Sequence, residues 1–293
     1  MAQEFPFVLN VIGPDAVPDA FAAALPAKRG AFITLSPQRA FDWPFDGDPA
    51  ETLAAARTIA AAHNWDVNVV AAANRRKQLL IADMDSTIIT VECLDEIADM
   101  MGLKPQVAAI TERAMRGEIA FEPALRERVA LLKGLAVHRL SRVYAERVRL
   151  TPGAKPLVAT MKANGATTLL VSGGFTFFTQ RVAADAGFDD HQANVLLDDG
   201  TRLLGTVEEP ILGREAKLRA LNGAIAENHL DPACTLAVGD GANDLAMIER
   251  AGLGVAFHAK PVVAEAAAAR IDHNHLDALL YLQGYSEPEI VRT

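Results

Sequence analysis

The sequence predicts an α/β protein: a parallel sheet with helices on both faces, a helical block inserted behind its first strand, and a small α+β unit ahead of it. Three observations carry that prediction. Short apolar runs at residues 79–82, 167–171, 235–238 and 255–257 alternate with helical stretches, the pattern of parallel strands buried on both faces. Residues 92–149 show amphipathic helical periodicity and no strand signal. Residues 1–77 follow a different order, short strands interleaved with two helices.

Composition bounds the rest. A chain of 293 residues exceeds one minimal domain, and 51% apolar content supplies material for a packed core. A net charge of −9 with no basic stripe argues against a nucleic-acid partner. Cys93 and Cys234 stand alone with no paired spacing, as reduced thiols of a cytoplasmic protein do. The Met-Ala-Gln-Glu start lacks the basic and apolar regions of a signal peptide, and no uncharged apolar run reaches 18 residues, so no membrane partner is expected.

In the first unit, residues 8–12 (Val-Leu-Asn-Val-Ile) read as a strand, 17–25 as a short helix and 32–35 as a second strand. Residues 39–41 begin a third strand that Trp43-Pro44-Phe45 obstructs. An Ala-rich helix over 51–63 stops at Asn64, and residues 65–70 close as a strand. The order β-α-β-β-α-β is that of a ferredoxin-like split βαβ. Asn74-Arg75-Arg76-Lys77 reads as a polar hinge, so the units are 1–77 and 78–293.

In the second unit, Gly165 ends a helix over 155–164, and Gly187 ends the helix that follows Gly174. Residues 193–197, the Asp198-Asp199-Gly200 turn and 202–207 form a hairpin. A further helix spans 214–228. The core is thus 78–92 and 150–293, with a helical cap over 93–149.

Chemistry collects at three strand ends, which a parallel sheet places at one edge. After residues 79–82 comes Asp83-Met84-Asp85-Ser86-Thr87; after 167–171, Ser172-Gly173-Gly174; after 235–238, Gly239-Asp240-Gly241-Ala242-Asn243-Asp244. Two carboxylates one residue apart repel unless a cation lies between them or one holds a proton. The pattern calls for a metal, a nucleophile with an acid/base partner, or both. Hard oxygen ligands with a glycine-backed hydroxyl at a helix start suit a divalent cation and a phosphate.

Roles follow by chemistry. Asp83 can attack phosphorus to form an aspartyl-phosphate, and Asp85 can protonate the leaving oxygen and then activate water. Asp83, Asp240 and the main-chain carbonyl of Asp85 would hold one Mg²⁺ (or Mn²⁺), with Asn243 and Asp244 in support. Ser172 and the Gly173 amide would take the phosphoryl oxygens. Lys217, near a helix start, is either a solvated surface lysine or a charge aimed at the phosphate and Asp83. In the cap, Phe121, Leu125, Arg128 and Leu132 share one helix face, where the arginine either snorkels or clamps an anion. Glu92 is the first acid after the strand-end loop. Decoys fail: Asp244 replaces the third glycine of a dinucleotide fingerprint, Ile88 replaces the glycine of a calcium loop, and no P-loop is present.

These motifs resemble the haloacid dehalogenase superfamily of aspartate-nucleophile phosphatases, over residues from about 78 to 285. The resemblance implies a Rossmann-like core with an inserted helical cap. The cap run Phe121-Glu122-x-x-Leu125-Arg126-x-Arg128-Val129 through Leu132-Lys133-Gly134, with Glu92 upstream, is similar to the phosphoserine-hydrolysing branch. That resemblance implies that Glu92 meets a substrate ammonium and Arg128 its carboxylate, that Met115 and Phe121 line the pocket, and that Asn243 joins the substrate-binding set. The implied reaction is hydrolysis of O-phospho-L-serine, the final step of serine biosynthesis. The first unit is similar to ACT-type domains, departing at Trp43–Asp46 and at Gly13-Pro14-Asp15, and leaves open ligand sensing, homodimer formation and a vestigial role. Rival readings are the same chemistry on another phosphorylated amine acid, transfer of the phosphoryl group to an alcohol, a chiefly sensory protein regulated through the first unit, and a non-catalytic aspartyl-phosphate switch; Asp85 and the cap argue against the last.

Overall fold

The computed structural model describes residues 5–13, 19–116 and 118–292, with the side chains of 19, 20 and 115 outside the description. Part of the predicted first helix, residues 17 and 18, and the loop residues Pro14 and Asp15 therefore lie outside the described residues, as does the Met115 side chain.

The first unit holds β1 (Phe7–Ile12), β2 (Ile33–Ser36), β3 (Ala40–Phe45), α1 (Pro49–Ala60) and β4 (Asp66–Ala71). Asp48 caps α1 through its side chain, with Pro49 at the first helical position. The sheet order β2-β3-β1-β4, antiparallel throughout, is that of the split βαβ. The described part of the first helix is 3₁₀ (Asp19–Ala24) rather than α, and α1 ends before Asn64. The third strand also corrects the sequence reading, since it runs straight through Trp43-Pro44-Phe45. Gly13 N–H donates to the Arg39 carbonyl (2.8 Å), so Phe41, Trp43 and Phe45 exchange bonds with β1 and Pro44 falls in a non-bonded pair opposite Val8. The missing N–H of Pro44 faces the other side, beyond the end of β2, where the Pro44 carbonyl still accepts the Gly30 N–H (2.7 Å).

The second unit runs β5 (Leu79–Ala82), α2 (Cys93–Met100), α3 (Lys104–Met115), α4 (Phe121–Ala130), α5 (His138–Arg147), α6 (Ala154–Ala163), β6 (Thr167–Phe175), α7 (Thr176–Ala186), β7 (Asp190–Asn194), β8 (Leu196–Asp198) and β9 (Leu203–Val207). It continues with α8 (Arg214–Glu227), β10 (Thr235–Gly239), α9 (Leu245–Arg250), β11 (Leu253–Phe257), α10 (Pro261–Ala266), β12 (Ala269–Ile271) and α11 (Ala278–Leu282). Six strands form one parallel sheet in the order β12-β11-β10-β5-β6-β7. Strand side chains alternate between two cores: Leu80 and Ala82 pack toward α6 and α11, Leu79 and Ile81 toward α8 and α9. The cap is α2–α5, spliced in between β5 and α6. Asp190–Asn194 belongs to the parallel sheet, so the hairpin is only β8 and β9, shorter than the predicted one.

The stretch 74–77 is fastened rather than a hinge. Arg75 makes paired bonds to buried Asp42 (2.6 and 2.9 Å) and reaches the main-chain carbonyls of Tyr281 and Leu282. Lys77 is buried and donates to the Ala233 carbonyl (2.7 Å). Farther along the seam, Asn68 pairs with both main-chain groups of Arg270 (2.9 Å each), and Asp66 accepts main-chain N–H groups of residues 272 and 274. No helix among the described residues is long and apolar enough to cross a membrane.

Candidate active site

Central strand β5 lies between β6 and β10, so the three chemical strand ends are immediate neighbours. Asp83 continues the pairing of β5, its N–H donating to the Val238 carbonyl (3.0 Å). The next residues leave the strand as an irregular turn, with Asp85 extended (φ −67°, ψ 137°) and Ser86 left-handed (φ 55°). That turn sends Asp85 away from Asp83. One Asp85 oxygen accepts the Cys93 N–H (2.8 Å), and the other accepts Ser172 Oγ–H (3.1 Å). Burial, with Glu92 nearby, pushes the Asp85 carboxyl up to about 6.

Lys217 is a buried centre of charge, not a surface residue. Only 2% exposed, it donates from Nζ to Asp83 Oδ1 and to Asp244 Oδ1, each at 2.5 Å. Burial opposes its charge, but the two carboxylates outweigh that and raise its pKa. Asp244 also accepts the Gly241 N–H (3.0 Å). Gly239 must be a glycine for this, because a Cβ there would lie 2.4 Å from Asp244 Cγ. Carboxylate oxygens of Asp83, Asp240 and Asp244 lie within 4.8 Å of one another. Burial and the neighbouring Asp244 drive Asp83 well above the usual carboxylate range and Asp240 up to about 6. Three close carboxylates facing one ammonium are short of positive charge, and a set of hard oxygen donors fits a divalent metal ion.

Opposite them, Ser172 Oγ accepts the Gly174 N–H (2.8 Å). The two glycines sit in tight quarters, where a side chain would push its neighbours aside. A Cβ on Gly174 would stand 3.1 Å from Asp85 Oδ2, and one on Gly173 would stand 3.2 Å from the Phe121 ring. Asn194, at the end of β7, holds this loop from behind through the Gly173 carbonyl (2.9 Å).

The cap closes over the strand ends. Phe121 lies over Gly173, and Glu122 touches Gly213 at the start of α8. Tyr144 in the cap donates to Asp185 in α7 (2.6 Å), and Arg126 pairs with Glu209 (2.7 Å). Arg128 is partly buried, bonded only to the Ala124 carbonyl (3.2 Å), with no ion-pair partner among the described residues. Burial lowers its pKa, while Asp95 and Glu92 pull it back. Exposed Glu92 accepts a hydrogen bond from Ser86 Oγ (2.7 Å).

Of the residues singled out in the sequence, Asp83, Asp85, Ser172, Gly173, Lys217, Asp240 and Asn243 meet at the edge, and Glu92, Phe121 and Arg128 reach toward it from the cap side. Asp85 stands outside the three-carboxylate cluster because Cys93 and Ser172 hold its side chain; the expectation for it concerned its main-chain carbonyl. Sequence reasoning missed the grip of Lys217 on Asp244, the Ser86–Glu92 bond and Asn194. A spacing signal existed only for Ser86, inside the strand-end motif.

A six-stranded parallel sheet with an Asp-x-Asp turn, a buried lysine and an acidic loop on adjacent strand ends, roofed by an inserted cap, is the architecture of haloacid dehalogenase-like hydrolases. That family's model matches residues 80–249, and the chain belongs to the family. A phosphoserine phosphatase of Polaromonas sp. (strain JS666) is 49% identical over 210 residues, covering 70% of this chain and 89% of the relative. The crystal structure of a probable phosphoserine phosphatase from Vibrio cholerae, in unliganded form, superposes with a TM-score of 0.77 at 31% identity, covering 96% of this chain and 88% of that one. A phosphoserine phosphatase solved as a phospho-aspartyl intermediate analogue gives 0.64 at 37% identity, covering 70% and 98%.

Proposed function

We propose that the protein hydrolyses O-phospho-L-serine to L-serine and phosphate, with Asp83 as the nucleophile. The observation that carries this is the pairing of one phosphoryl site with two opposite charges from the cap side. Glu92 offers an anion for an ammonium, and Arg128 offers an unpaired guanidinium for a carboxylate.

In the first half-reaction an Asp83 oxygen bonds to phosphorus, the phosphorus–serine oxygen bond breaks, and Asp85 gives its proton to the departing oxygen. A carboxyl raised to about 6 can hold that proton close to neutrality. In the second half-reaction Asp85 takes a proton from water as the water oxygen bonds to phosphorus and Asp83 is released. Ser172, the Gly173 amide, Asn243 and Lys217 bind and orient the phosphoryl oxygens, and Lys217 favours the ionised form of Asp83 against burial and Asp244. Asp83, Asp240 and the Asp85 main-chain carbonyl would hold Mg²⁺ (or Mn²⁺ on the same oxygens), with Asp244 and Asn243 behind; the ion supplies charge neutralisation for nucleophile and phosphoryl group. Phe121 and Met115 would line the serine side and exclude water.

The cap over 93–149 and the core of 78–92 and 150–293 would form one catalytic unit. The ferredoxin-like unit of 1–77, with Phe32 and Ile33 exposed beside its edge strand, would be a homodimer surface, which light scattering tests. Unpaired Cys93 and Cys234 fit a cytoplasmic enzyme.

The test is phosphate release with Mg²⁺ from phosphoserine, phosphoethanolamine (no carboxylate) and phosphoglycerate (no ammonium). Phosphoserine is expected to exceed both in kcat/KM, and Arg128→Ala to remove the advantage over phosphoethanolamine. Equal rates on all three esters would overturn the substrate assignment.

A further inference from the structure

Strand β6 carries two more residues than its neighbour at the point where the chemistry sits. Val171 pairs with Gln192 and Phe175 with Asn194, so residues 171 to 175 on β6 face only 192 to 194 on β7. The three residues between, Ser172-Gly173-Gly174, stand against Ala193 alone and bow out of the ladder as a bulge. Two adjacent glycines lend such a bulge no rigidity of their own.

Asn194 holds it. Its side chain is 2% exposed; Nδ2 donates to the carbonyls of Gly173 (2.9 Å) and Leu212 (3.3 Å), and Oδ1 accepts the Leu212 N–H (2.7 Å). The bond to Gly173 fixes more than one oxygen. The peptide joining Gly173 to Gly174 is planar and trans, so anchoring its carbonyl aims its N–H to the opposite side. There the Gly174 N–H donates to Ser172 Oγ (2.8 Å), and Ser172 Oγ–H donates to Asp85 Oδ2 (3.1 Å). The second arm grips Leu212, and Gly213 then opens α8, which brings Lys217 to Asp83. One buried amide therefore spans both elements that face the phosphoryl group.

We propose that Asn194 is a positioning residue for phosphoryl transfer. Through the Gly173–Gly174 peptide it holds Ser172 and Asp85 in line, and through Leu212 it sets the separation between that bulge and the lysine helix. Only the assay rests on the phosphoserine reading.

Asn194→Asp is nearly isosteric and still accepts from Leu212, but it cannot donate to Gly173; Asn194→Ser removes the amide altogether. For each folded variant, checked by circular dichroism and thermal melting, kcat on phosphoserine is expected to fall roughly 10²-fold, the cost of an ångström-scale misalignment. KM should change less than kcat, because Glu92 and Arg128 still hold the serine end. The same factor should appear with p-nitrophenyl phosphate, which shares only the phosphoryl group. Because Asn194→Asp keeps the bond from the Leu212 N–H and loses the one to Gly173, its effect runs mainly through Ser172, and adding it to Ser172→Ala should cost less than about threefold. Wild-type kcat in either folded variant overturns the proposal. So does a loss confined to phosphoserine, or full additivity with Ser172→Ala. If the unaltered protein cleaves p-nitrophenyl phosphate but not phosphoserine, the substrate reading alone fails and the Asn194 comparison is decided on the remaining ester.

Discussion

Replacing Lys217 with methionine should destabilise the metal-free protein strongly at neutral pH and only mildly in acid. Methionine keeps the length of the lysine stem, so the loss reports stranded charge rather than a cavity. Nζ lies 2.5 Å from both Asp83 and Asp244, and the lysine is 2% exposed. Removing one partner of a buried ion pair costs about 3–5 kcal/mol. The variant has one escape, a proton shared between the two carboxyls. Keeping an aspartate of ordinary pKa protonated costs about 1.4 kcal/mol per pH unit, hence roughly 5 kcal/mol at pH 7.5 and about 1.5 kcal/mol at pH 5. The sign follows from linkage. The folded variant would bind a proton within this buried pair that the unfolded chain does not hold, so the variant gains stability relative to the wild type as pH falls from 7.5 toward 4. Burial and Asp244 already push Asp83 up with the lysine present. The assay is urea unfolding by circular dichroism in chelator at both pH values. We expect a deficit of about 3–5 kcal/mol at pH 7.5, shrinking below about 2 kcal/mol at pH 5. A deficit under about 1 kcal/mol at pH 7.5, the range of an exposed pair, would refute the reasoning, as would equal deficits at both values.

Asp83→Asn should abolish both turnover and trapping of a phosphoenzyme by acid quench, and surviving turnover would remove Asp83 from the nucleophile's role. Gly239→Ala should raise the Mg²⁺ concentration for half-maximal activity at least roughly tenfold, because its Cβ would stand 2.4 Å from Asp244 Cγ; an unchanged metal titration would show that Asp244 is not needed for binding. A thiol reagent at pH 8 should modify Cys234 in the native protein and spare Cys93, which is 2% exposed and whose thiol burial and Asp85 push well up. Rapid titration of two thiols per chain would contradict that.

The catalytic edge is legible in the sequence where burial is complete. Leu79–Ala82 is fully enclosed, so it reads as an unbroken apolar run that ends on Asp83. Edge strand β7, Asp-His-Gln-Ala-Asn, is half exposed and polar, and carries no such signature. Its last residue, Asn194, therefore reads as part of a hairpin, and its grip on Gly173 carries no signal in the sequence. Lys217 is ambiguous for a related reason: helix position alone cannot say which way a long side chain turns, and only the two carboxylates beneath it decide. Pro44 reads as an obstacle, yet a proline is tolerated in a strand where its nitrogen turns away from the main ladder, here away from β1, a fact of register rather than residue type.

The seam that fastens the first unit to the second also has a temporal side. Asn10 donates to the Tyr281 carbonyl across 271 positions, and Asn68 meets Arg270 across 202. The inner face of the first sheet, with Val8 and Ile12 in the same core as Leu279 and Tyr281, is covered by residues made more than 200 positions later. At about 5–20 residues per second on the ribosome, the first sheet waits roughly 10–40 s for its cover. A chain cut short before residue 270 would leave that face bare, and it is there that nascent-chain quality control would meet this protein.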